Sequence, residues 1–169
     1  MGDTFEMKLF LKHIVSTISV LLLSATLSWG DDFQKAYYAY QKGEYTIAFE
    51  GFKKLAEQGD TKAQYNLGVM LEKGHGTIQD YKEAFKWHTL AAEKGDSDAQ
   101  NYLGFLYGRG RGVLQDKVLA HMWFNISSSN GSEHASENRD KLAKNMTPSQ
   151  IEKAQDLARE CVKKNYKGC

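Results

Sequence analysis

The stretch Ala63-Gln64-Tyr65-Asn66-Leu67-Gly68 returns as Ala99-Gln100-Asn101-Tyr102-Leu103-Gly104, an offset of 36 residues. The same offset carries Gly74 and Gly76 onto Gly110 and Gly112, and Gln79-Asp80 onto Gln115-Asp116. It also carries Ala84 onto Ala120, Trp87 onto Trp123 and Gly95 onto Gly131. A fixed period on the order of 20 to 50 residues marks a solenoid, in which each unit buries its apolar face only against its neighbours. The expected fold is therefore all-α, a superhelix of helical hairpins.

Outward from that stretch, each unit reads as two helices. In the second unit Asp60 or Thr61 serves as N-cap, Ala63, Leu67, Met70 and Leu71 form an apolar stripe, and the chain turns at Lys73-Gly74-His75-Gly76. Asp80 then caps a second helix that carries Tyr81, Ala84, Phe85, Trp87, His88 and Ala91 and closes at Gly95. The third unit repeats this plan through Asp116 to Gly131. Before them, Phe33 to Tyr40 and Tyr45 to Ala56 form a shorter hairpin that lacks counterparts of His75 through Gln79. Gly68 and Gly104 fall inside helices, where glycine costs about 1 kcal/mol relative to alanine. Their recurrence predicts that the partner helix comes too close there for a side chain.

Beyond Gly131, Arg139 and Asp140 stand where Leu103 and Gly104 stood, and the repeat becomes polar. A solenoid end needs one soluble face, so Ser132 to Met146 reads as the start of a cap. Thr147-Pro148-Ser149-Gln150 opens a last helix with an N-cap threonine, proline at the first position and glutamine at the third. The expected organisation is residues 1–30 as a signal peptide, residues 31–131 as repeats (about 32–60, 61–96 and 97–131), and residues 132–169 as capping helices and tail.

The signal-peptide reading rests on Lys8, Lys12 and His13 before the apolar run Ile14 to Leu23, followed by Ser28-Trp29-Gly30, with cleavage best placed after Gly30. An uncleaved anchor is the alternative, disfavoured by so short an apolar core. After cleavage no stable membrane span is expected, and the protein is placed in the periplasm or outside the cell. Of the 169 residues 41% are apolar and 25% charged, a globular balance, and one proline with 15 glycines suits helices separated by glycine turns. Lys+Arg 22 against Asp+Glu 21 gives a net charge of +1, which excludes a global field for nucleic acid.

The pattern A-x-x-x-L-G, then G-x-G-x-x-x-D, then A-x-x-W resembles the Sel-1-like repeat, a relative of the tetratricopeptide repeat with a longer internal turn. Two units carry it in full, and the resemblance extends over residues 32 to about 131 with the short first hairpin. The tail from Ala120-His121-Met122-Trp123 through Met146-Thr147-Pro148 also resembles the ending of many exported bacterial members. The resemblance implies an adaptor surface whose concave groove, lined by the first helices, holds a protein or peptide. Some secreted members with paired cysteines in each repeat have been associated with binding or hydrolysing β-lactams. A β-lactam or cell-wall hydrolase is thus the alternative, although the cysteines here lie outside the repeats.

Tyrosine supplies rigid amphipathic area and asparagine adaptable hydrogen bonds, so Tyr38, Tyr65, Asn66, Asn101 and Tyr102 are the candidates for partner contact. Arg109 and Arg111 are candidates for an acidic partner. Their turn, Gly108-Arg109-Gly110-Arg111-Gly112, matches Gly74-His75-Gly76 in phase and reads as a turn rather than a phosphate cradle, since no strand precedes it. His75 is expected to be an exposed turn residue, and His88 and His121 partly buried with a satisfied nitrogen. Ser127-Ser128-Ser129 with Asn130-Gly131 reads as a frayed helix end. No acid, base or nucleophile set, metal or cofactor motif is visible, so no enzyme activity is expected. Cys161 and Cys169, eight apart, would lie about 12 Å apart on a continuous helix. They either bridge after the helix stops and folds back at Gly168, or remain two thiols on a frayed tail.

Overall fold

Aspartate side chains cap four of the eight helices found among the described residues. The computed structural model describes residues 31–169, so the signal-peptide expectation lies outside the described residues. Helix α1 occupies residues 31–41. There follow α2 (Tyr45–Glu57), α3 (Thr61–Lys73), α4 (Tyr81–Ala92), α5 (Ser97–Arg109), α6 (Lys117–Ser129), α7 (Glu133–Ala143) and α8 (Pro148–Lys163), with no strand among the described residues. Asp60 and Asp96 each accept from the third backbone N–H of α3 and α5, while Asp80 and Asp116 each accept two N–H groups at the start of α4 and α6. These side chains satisfy donors that a helix start leaves orphaned. Thr147 and Gln150 close a reciprocal capping box on α8.

Consecutive helices pack as antiparallel hairpins stacked side by side, an all-α solenoid. Contacts run α2 to α3, α3 to α4, α4 to α5, α5 to α6 and α6 to α7, and α8 returns onto α6. Two apolar clusters result. One joins Ala36, Ala48, Phe52, Leu55, Leu67, Met70 and Ala84; the other joins Ala91, Leu103, Leu106, Met122, Trp123, Ile126 and Ala158. In α7 only Ala135 is buried, as suits a terminal unit with a solvated face.

The glycines inside α3 and α5 have a specific cause. A Cβ on Gly68 would stand 2.7 Å from Cε1 of the His88 ring, and one on Gly104 would stand 2.5 Å from Cδ1 of Phe124. His88 and Phe124 occupy equivalent positions of the repeat. It is a ring pressed against the glycine, rather than the partner backbone, that excludes a side chain.

Two expectations are corrected here. Ser127 is fully buried and its hydroxyl donates to the Ser97 carbonyl at 2.6 Å, while Asn130 donates to Gln100 Oε1 at 2.8 Å, so the end of α6 is pinned rather than frayed. His88 is fully buried with both nitrogens unpartnered, and His121 is buried with Nδ1 unpartnered.

At the C-terminus Cys161 and Cys169 are joined by a disulfide, their Cα atoms 5.6 Å apart. The helix stops at Lys163 and the chain reverses through Asn165 and Tyr166, both at positive φ. The tail then clasps the preceding repeat. Tyr166 donates to Asn130 Oδ1 at 3.1 Å, the Gly168 amide donates to Glu93 Oε1 at 3.0 Å, and Lys167 pairs with Glu93 Oε2 at 3.5 Å. Removing a bridge of this loop length is expected to cost about 2.5 kcal/mol on the chain-entropy account. Urea unfolding with and without reductant measures it, and a reduced protein of unchanged midpoint contradicts the role given to the bridge.

Candidate functional site: a polar groove along the first helices

The first helices of successive hairpins present one stripe each to a common groove. On α5 the stripe is Asp98, Asn101, Tyr102, Phe105 and Arg109, spaced by three and four residues as one helical face requires. Tyr65, Glu72 and Lys73 answer from α3, and His134, Glu137 and Asn138 from α7. His75, Gln79 and Arg111 of the turns, with Tyr81, complete a cavity of about 800 Å³. A second hollow of about 410 Å³ shares Tyr65, Lys73, Asp98 and Tyr102 and extends the groove past Asn66 toward Tyr37 and Tyr40.

The floor is a chain of rings. Tyr65 meets Tyr102 edge-on at 5.6 Å, Tyr102 lies stacked on His88 at 4.9 Å and meets Phe105 at 6.3 Å, and Phe105 meets Phe124 at 5.2 Å. Burial pushes the Tyr65 and Tyr102 hydroxyls above the usual phenol range. Above the floor, Glu72 is half-buried and pairs with Arg111 at 3.5 Å. Burial pushes the Glu72 carboxyl up, against the opposing pull of Arg111, Arg109 and Lys73. The Arg111 guanidinium also covers the Tyr81 ring at 5.1 Å, and that of Arg109 covers Phe105 at 5.2 Å.

Five of the seven partner-contact candidates, Tyr65, Asn101, Tyr102, Arg109 and Arg111, line the main cavity. Asn66 faces the second hollow, its amide donating to the Lys62 carbonyl at 2.8 Å. Tyr38 lines neither cavity: it is 57% exposed, under the Lys42 ammonium at 4.4 Å. Asn101 is buried, and its Oδ1 accepts from Asn138 at 3.0 Å, so it ties the cap helix to α5 rather than awaiting a partner. Tyr107 is drawn into the core, edge-on to Phe85 at 5.4 Å. His75 is half-buried, stacked on Tyr45 at 4.0 Å, and not an exposed turn residue.

Sequence reasoning missed Glu72, Lys73, Asp98, Phe105, Glu137 and Asn138 as groove residues. The signal was present: the three-and-four spacing through Tyr102 selects Asp98, Phe105 and Arg109 directly. Among the described residues no group of three His, Cys, Asp or Glu is placed to hold a metal ion, and no helix is long and apolar enough to cross a membrane.

With this geometry in view, the Sel1 repeat model matches residues 61–96 and 97–132. The structure is similar to that of c5321, a protective antigen of uropathogenic Escherichia coli strains displaying an SLR fold. The TM-score is 0.76 at 32% identity, over 82% of this chain and 31% of that one. A Sel1 repeat protein from Oxalobacter formigenes is similar at TM-score 0.53 and 33% identity, over 54% of this chain and 26% of the other. Cysteine rich protein B of Helicobacter pylori shares the fold, with TM-score 0.52 and 21% identity over 65% of this chain and 93% of that one. Among curated proteins, DAP3-binding cell death enhancer 1 of rat and of mouse is 52% identical over 42 residues, which is 25% of this chain and 8% of either relative. The chain thus spans less than a tenth of the length of those relatives. Sel1 repeats are typically protein-interaction modules, and residues 61–132 of this chain are two repeats of that family.

Proposed function

We propose that the protein is an exported, non-enzymatic binding module that holds a protein or peptide segment in the concave groove. One observation carries the reading. Two repeats and the cap helix converge on one cavity of about 800 Å³, and several of its positions differ at the same repeat phase, Tyr65 against Asn101 and His75 against Arg111. The groove also offers neutral aromatic rings framed by charges of both signs, the composition of a recognition surface. Export is read from residues 1–30, and a periplasmic or extracellular place suits a disulfide.

The test is capture of partners from a cell-envelope extract by the tagged full chain, in parallel with Tyr65→Ala plus Tyr102→Ala. A partner enriched by the parent chain and lost from the double variant is expected. Enrichment indifferent to both rings, or clear turnover of nitrocefin or peptidoglycan fragments by the pure protein, overturns the proposal.

A further inference from the structure

The groove is electrically divided. Its two ends are set by the direction of the parallel first helices: Asp98 lies in the first turn of α5, and Arg109 is its last residue, about 16 Å further along the axis. Lys73 holds the position of Arg109 one repeat earlier, and His75 that of Arg111. Lys73, Arg109 and Arg111 therefore gather on one bank, around the half-buried Glu72. Glu72 engages Arg111 alone within ion-pair distance. Among the described residues neither Arg109 nor Lys73 has a carboxylate within 4.0 Å, and Lys73 reaches only the Tyr40 hydroxyl at 3.4 Å. On α7 Glu137 is already matched by Lys141 at 2.6 Å. The bank thus carries three cations for one carboxylate.

Arg109 is poised rather than loose. Its guanidinium lies over the Phe105 ring, which orients the planar fork at the seam between the main cavity and a smaller hollow floored by Phe105, Phe124 and Leu142. A planar fork held by stacking suits a carboxylate accepted in two parallel hydrogen bonds. The adjoining apolar floor suits an apolar side chain next to that carboxylate.

Resting on the groove reading above, we infer that the occupant is an acidic peptide segment, with an Asp or Glu carboxylate seated on Arg109 and Lys73 and a neighbouring apolar side chain against Phe105. Glu72 acts as the built-in half of the arrangement, holding Arg111 so that Arg109 and Lys73 are left for the ligand. An Arg at the end of α5 also complements the helix dipole, a role Lys fills equally well, so the Arg109→Lys variant separates the two.

The test pans a phage-displayed random dodecapeptide library on the full chain and measures enriched peptides by fluorescence polarisation. Enriched sequences are expected to carry Asp or Glu beside an apolar residue, and to weaken at least tenfold on Asp→Asn or Glu→Gln exchange in the peptide. Arg109→Gln is expected to weaken them at least tenfold and Arg109→Lys severalfold, with the exposed Lys153→Gln of α8 unchanged. Circular dichroism confirms that each variant is folded. Peptides that depend on Tyr65 and Tyr102 but show no acidic bias, or bind Arg109→Gln undiminished, overturn this inference and leave the groove reading standing. A library with no peptide dependent on Tyr65 and Tyr102 overturns both.

Discussion

Gly112→Ala is expected to destabilise the protein by about 4 kcal/mol, while Gly131→Ala, also at positive φ, costs about 1 kcal/mol. Gly112 sits at φ 71°, in the left-handed region that an L side chain enters at a cost, and Gly131 at 93° shares that burden. They differ in what lies beyond the missing Cβ. At Gly131 there is nothing within 4 Å; at Gly112 a Cβ would land on the carbonyl oxygen and carbon of Tyr81, at the start of the preceding hairpin's second helix. Gly76 meets the Tyr45 carbonyl in the same way one repeat earlier. Backbone cannot rotate aside as a flexible side chain does, so the turn and α4 must separate. That breaks the seam between hairpins, on which a solenoid depends. Chemical unfolding of the two variants beside the parent decides it. Equal losses for both would mean that Gly112 is a conformational requirement and not a point of close approach.

A second large effect is expected with pH. His88 is fully enclosed between Gly68 and Tyr102 with neither nitrogen hydrogen-bonded, and burial holds its pKa down to about 3 against the ordinary 6.5. The unfolded chain therefore takes up a proton below pH 6.5 that the folded chain refuses. Stability from this group is complete above pH 6.5 and is lost as the pH falls toward 3, at about 1.4 kcal/mol per unit. Between pH 7 and pH 4 the loss is about 3 kcal/mol. Phe124 fills the same place in the next repeat, so His88→Phe preserves the ring on Gly68 and removes the proton site. The variant is expected to match the parent at pH 7 and exceed it by about 3 kcal/mol at pH 4. Carboxylates titrate in both proteins and cancel in the difference. His121, also held below the usual range by burial with Arg139 adding to it, leaves the variant some acid sensitivity. Parallel loss in parent and variant would show that His88 is hydrated and free to charge in the folded protein.

The helices, their caps and the period were legible because each is local chemistry: Asp80 and Asp116 reach only two or three residues along, and the three-and-four spacing of Ala63, Leu67 and Met70 is a property of one helix. Tyr65 and Tyr102 were legible as groove residues once the repeat had named the first helices, whereas Arg109 reads as a turn residue in the sequence and is the last residue of α5 in the structure. What failed were statements about surroundings. Tyr38 and Tyr65 both belong to first helices, yet one faces solvent and the other the aromatic floor. Ser127 looks like a fraying end until Ser97, 30 residues away, supplies its acceptor.

Alone, the sequence determined that the chain is a stack of near-identical helical hairpins, because a period of 36 residues encodes the same intra-hairpin contacts twice. Tertiary structure alone decided which residues share the groove, that Glu72 occupies Arg111 while Arg109 stays open, and that the tail is clasped onto Glu93 and Asn130. The physical reason is distance along the chain. Packing within a repeat is written in adjacent residues, whereas the groove and the tail join residues from different repeats, whose meeting depends on the angle at which one hairpin stacks on the next.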